Sequence, residues 1–228
     1  MRLLILVIPL LLLIAWLPGW WVRRTMEKYH RPEDRYRYSG AAMARELLHR
    51  HGLTHVDVET TKDGDHYDPA DRTVRLSQQN YHGHSLTAVT VAAHEVGHAV
   101  QHARGYRPLQ LRGTLVAATR HAQRLGAILM IGIPFITLIT RHPAPGILFF
   151  LAGVLSMGMA ALVHFVTLPT ELDASFRRAM PMLREGGYLH EPDYRHAERI
   201  LRAAAYTYLA QSLASLLNIA SWFRYLRR

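Results

Sequence analysis

Three long apolar runs dominate the pattern of hydrophobic and polar positions along the chain. The first, Leu3 to Val22, contains no charged residue, and as a helix it reaches about 30 Å, the thickness of a bilayer core. The second covers residues 125–140 and the third Gly146 to Leu168, with only "RHPAP" between them. This pattern predicts a mostly α-helical membrane protein: an N-terminal anchor over 1–22 and a transmembrane hairpin within 114–168. The first run is read as an uncleaved anchor. It is longer than a secretory signal core and ends in "WLPGWWVRR", with no small-x-small cleavage site and with Trp16, Trp20 and Trp21 suited to a membrane interface.

Shorter periods fill the rest. Residues 39–51, "SGAAMARELLHRH", carry apolar positions at helical spacing, and Gly52 stops the helix. "THVDVET" and "RTVRLS" alternate like strands around the turn-rich "KDGDHYDPAD", which predicts a small β-hairpin. Ser85 caps a helix running through "LTAVTVAAHEVGHAVQHARG" to a stop at Gly105. Pro169 and Thr170 suggest a helix start after the third apolar run, and Pro181 its interruption or end. Residues 197–228 form one more helical pattern. Gln211 and Asn218 argue against a span there, so it is expected to pack on the bundle or lie at the cytoplasmic interface. The regions are thus an anchor (1–22), a catalytic region (23–113), a hairpin (114–168) and a helical C-terminal region (169–228).

Charge adds an orientation. The 228 residues carry a formal net charge of +10, and Arg23, Arg24, Lys28, Arg31, Arg35 and Arg37 follow the first apolar run against Arg2 before it. By the positive-inside rule the middle of the chain is cytoplasmic, which implies a multi-pass protein of the inner (plasma) membrane in contact with the lipid bilayer. Arg120 and Arg124 before the second run agree, as do Arg177, Arg178 and Arg184 after the third. No nucleic-acid recognition motif accompanies the positive charge. The absence of cysteine excludes thiolate ligands, so any metal is held by His, Asp or Glu.

The chemistry sits in "VAAHEVGHAVQH", residues 91–102. Positions i and i+4 share one helix face, so His94 and His98 can address one ion, and Glu95 lies beside the first of them. That spacing suits hydrolysis by a zinc-activated water with Glu95 as general base. A catalytic zinc needs a third protein ligand and an open fourth position. Glu171 in "LPTELDASFRRA" is the leading third ligand, because a membrane hairpin returns it to the face of the motif; His164, His102 and Asp173 are the other candidates, Asp173 also as a residue orienting a ligand imidazole. His82 and His84 read as loop histidines before a second metal pair. Tyr67, Tyr81, Arg177 and Arg178 are candidate oxyanion donors. "RTVRLS" reads equally as a structural hairpin strand or as an edge strand that pairs with an extended substrate.

"DHYDPADRTVRLS", "VAAHEVGHAVQH" and "LPTELDASFRRA", in this order, resemble the YugP-type neutral zinc metallopeptidases of bacteria. The resemblance covers nearly the whole chain. It implies a membrane-bound zinc endopeptidase with its metal on His94, His98 and Glu171, its base at Glu95, and a protein or peptide substrate near the membrane. The chain is more distantly similar to membrane proteases of the HtpX type. Those commonly place an Asp four residues after the ligand glutamate, where this chain has Ser175. The alternative function is a non-catalytic, zinc-stabilised membrane adaptor or scaffold, against which an intact Glu95 argues. A membrane-surface or nucleic-acid-binding protein with incidental histidines is a third reading. Spacing does not decide the oligomeric state.

Overall fold

The computed structural model describes residues 16–217. Most of the expected N-terminal anchor and residues 218–228 lie outside them. Residues 16–28 are helical and form α1. Helix α2 (Gly40–Arg50) starts where the Ser39 hydroxyl accepts from the amide of Ala42 and stops before Gly52, whose φ of 70° favours a residue without Cβ.

The sheet corrects the expected hairpin. Its strands are β1 (Asp57–Thr61), β2 (His66–Asp68) and β3 (Thr73–Ser77), in the order β1-β3-β2. The two alternating segments, β1 and β3, are parallel neighbours, with Asp57 beside Thr73 and Thr61 beside Ser77. It is β2, from the turn-rich stretch, that pairs antiparallel with β3. Alternation marks a strand and its faces but not its partner. "RTVRLS" is therefore the central strand, and it cannot take a substrate backbone at an edge.

After α3 (Gln78–His82), Ser85 caps α4 (Leu86–Ala103) through the amide of Ala88. Its sequence is small and apolar on every side, and it is buried from Leu86 to Gln101. The sheet and α2 cover it on one side. On the other lie a π-helical segment (Asp173–Ala179), α7 (Met180–Glu185) and α8 (Tyr194–Leu217). Met43, Leu47, Val74, Leu76, Val89, Val96, Leu183 and Ile200 fill the core between these layers. Pro181 stands in the first turn of α7, so it opens that helix and does not end one. Helix α8 begins at Tyr194 and packs on α4 and α6.

Helices α5 (Arg107–Thr140) and α6 (Pro143–Leu172) form a hairpin joined by Arg141 and His142, and they correct the expected membrane architecture. Among the described residues no helix is long and apolar enough to cross a membrane. In α5 the cations at Arg107, Arg112, Arg120 and Arg124 leave an apolar stretch over 125–140 of about 24 Å, short of a bilayer core. The far end of α6 buries Thr167, Thr170 and Glu171 inside the protein. A hydropathy pattern that extends the third apolar run to Leu168 counts turns belonging to this protein core. Helix α6 also continues through Pro169, where a new helix start was expected.

Candidate metal centre

On α4, His94 and His98 stand one turn apart with ring centroids 4.8 Å apart. Glu171 arrives from the last turn of α6 and is completely buried. Its Oε2 lies 3.3 Å from His94 Nε2 and 3.1 Å from His98 Nε2. These three residues form the one group of three or more His, Asp or Glu able to hold a metal ion among the described residues, with ligand atoms all within 4.8 Å of one another.

Hydrogen bonds behind the two imidazoles fix their tautomers. The Ser175 hydroxyl donates to the Leu201 carbonyl at 3.2 Å, so at 3.1 Å it is the acceptor for His94 Nδ1–H. Gln101 Nε2 donates to the Thr170 carbonyl at 2.9 Å and to Asp173 Oδ2 at 2.8 Å. Its Oε1 then faces His98 at 3.0 Å and accepts from Nδ1–H. Neutral imidazoles with Nδ1 protonated present bare lone pairs at Nε2. Two such lone pairs and a carboxylate oxygen converge on one point with no proton to share, an arrangement that a cation resolves. With ligand bonds of 2.0–2.1 Å, a tetrahedral zinc would set its ligands about 3.3 Å apart, close to the 3.3 Å and 3.1 Å that separate Glu171 Oε2 from the two imidazole nitrogens.

Arg112, on α5, donates from Nη1 to Glu171 Oε1 at 2.7 Å and so leaves Oε2 for the metal side. Burial pushes the Glu171 carboxyl up, but His98 and His94, when their rings carry a proton at Nε2 in place of a metal, and Arg112 outweigh it and hold the group well below the usual carboxylate range. Glu95 behaves oppositely. Buried next to His94, its carboxyl is pushed up to about 7, chiefly by burial, with Asp65 and Glu171 adding to the shift and His94 and Arg112 opposing it.

Local folding explains the convergence. A Cβ on Gly97 would lie 2.7 Å from the carbonyl oxygen of Ala174, so only glycine lets the π-helical backbone rest directly on α4. That contact sets Ser175 behind His94 and Asp173 behind Gln101. Asp173 is thus not in the metal group; it anchors Gln101 and accepts from Arg178 at 3.1 Å. His102 also lies outside the group, its Nδ1 2.8 Å from the Tyr67 hydroxyl. His84 Nδ1 bonds to the Tyr36 carbonyl, and no second metal group forms with His82 among the described residues. The His164 side chain lies outside the described residues. Of the expected oxyanion donors, Tyr81 is engaged by Arg45 and Arg178 by Asp173, while Arg177 is exposed.

The spacing of residues missed Gln101 and Arg112. Gln101 had a signal, standing three residues after His98 on the same buried helix. Arg112 had none, since 59 residues separate it from Glu171.

A family profile described as "Putative neutral zinc metallopeptidase" matches residues 3–227. The chain belongs to this family. As a member of the zinc metallopeptidases it has zinc as its cofactor, and the His94, His98 and Glu171 group is able to hold a metal ion. One relative of the chain is the "Putative membrane protease YugP" of Bacillus subtilis (strain 168). It is 34% identical over 200 residues, covering 87% of this chain and 85% of that protein. No solved structure matches this metallopeptidase.

Proposed function

We propose that the protein is a zinc endopeptidase in which His94, His98 and Glu171 hold the ion and Glu95 is the general base. The observation that carries this reading is the meeting of two imidazole Nε2 atoms and one carboxylate oxygen beside a second buried glutamate. Zinc, when bound, supplies a Lewis acid that polarises a peptide carbonyl and brings the pKa of a water to about 7. Glu95 takes up a proton during attack on the scissile carbonyl and passes it to the departing amine. Ser175 and Gln101 hold the imidazoles in the ligating tautomer, while Arg112 keeps Glu171 anionic and turned toward them. Strand β2 lies against α4 at one edge of the sheet, which suits pairing with an extended polypeptide substrate. Membrane attachment carries over from the printed name of the Bacillus relative, without crossing helices among the described residues.

The test compares wild type with Glu95→Gln on an unfolded protein substrate. The variant is expected to keep its zinc and lose cleavage by a factor of about 100 or more. Equal cleavage by both proteins would remove Glu95 from the role of base. Zinc binding without cleavage by wild type would favour the scaffold.

A further inference from the structure

Arg24 and Lys28, on and beside the end of α1, meet Arg195, Arg199 and Arg202 of α8 across a groove of about 700 Å³. This is a volume suited to a small ligand, and the groove belongs to no part of the metal centre. All five cations are exposed. Like charges stand four apart at Arg24 and Lys28 and again at Arg195 and Arg199, a spacing that costs stability on a helix. One carboxylate, Glu198, lines the groove, and it is engaged by Arg202 at 3.0 Å. Aromatic side chains hold the cations in place: Arg24 lies over the Trp20 ring at 5.2 Å, Lys28 over Tyr29 at 5.3 Å, and Arg199 donates to the Tyr29 hydroxyl at 3.4 Å.

We propose that this groove binds a phosphate group, carried by a phospholipid headgroup or free in solution. Three guanidinium groups along one face of α8 offer paired donors that match phosphate oxygens, and Lys28 and Arg24 close the opposite wall. Binding an anion there relieves the repulsion among five cations that neighbouring carboxylates leave unbalanced.

Calorimetric titration of the full chain in a non-ionic detergent tests this. The probes are inorganic phosphate, the water-soluble dihexanoyl phosphatidylglycerol, and chloride at matched ionic strength. Wild type is expected to bind at least one phosphate probe saturably, while the double variant Arg195→Gln, Arg199→Gln binds it about tenfold more weakly. Lys62→Gln, which removes one exposed charge elsewhere, is expected to bind as wild type does. Tighter binding of the lipid than of inorganic phosphate assigns the site to a headgroup; the reverse order assigns it to free phosphate. Binding no stronger than that of chloride would overturn the proposal, as would a double variant that binds like wild type and shares its thermal stability.

Discussion

Ser175 is the residue where this chain departs from the Asp that the resemblance to HtpX-type proteases led one to expect. Its hydroxyl nevertheless occupies the orienting position behind His94 by relaying to the Leu201 carbonyl. Ser175→Ala removes the acceptor for Nδ1–H, frees the ring to rotate, and is expected to weaken zinc binding about 10-fold in a chelator competition. Ser175→Asp is expected to restore much of that affinity, because a carboxylate accepts the same proton. Affinity unchanged by the alanine would mean the imidazole is held by packing alone. At this scale the sequence reveals residues that share one helix: His94, Glu95 and His98 follow from the four-residue period. Arg112 stays hidden because its contact with Glu171 joins two helices by tertiary packing, which no local period encodes.

Among the elements, α4 and the π-helical segment decide the geometry together. The cap at Ser85 and the stop before Gly105 are local chemistry, and α4 is correspondingly legible. The π-helical turns follow from no propensity of "DASFRRA"; they reflect how a backbone settles on Gly97. Gly97→Ala is expected to push that backbone away and cost about 1–3 kcal/mol in denaturant unfolding of the zinc-free protein. It should also weaken zinc binding, since Glu171 and Ser175 flank the displaced residue. Hydropathy misled at the same scale, because it weighs side chains without knowing which turns of α6 another part of the chain covers. Alternation likewise identified β1 and β3 as strands, but the hairpin expected of them was wrong, because a period of two carries no information about the partner.

Across the whole molecule, an ion pair between exposed Arg35 and buried Asp193 ties the segment after α1 to the start of α8. Asp193 accepts from Arg35 Nε at 2.6 Å and Nη2 at 2.8 Å, and also from the Tyr36 hydroxyl. Burial pushes the Asp193 carboxyl up, but Arg35, Tyr36 and His196 outweigh it and lower it overall. A carboxyl held lower in the folded state stabilises the fold above its unfolded value near 3.9, and that contribution fades as the pH falls through the folded value. Asp193→Asn is therefore expected to cost about 2 kcal/mol near pH 6. The gap in melting temperature from wild type should close as the pH drops below about 4. A gap independent of pH would assign the loss to packing.

Zinc content tests the central claim, a metal held jointly by α4 and the returning end of α6. Purified wild type is expected to carry about one zinc per chain by elemental analysis, and Glu171→Ala less than about a tenth of that at the same free zinc. Stoichiometric zinc in a folded Glu171→Ala protein would contradict the site.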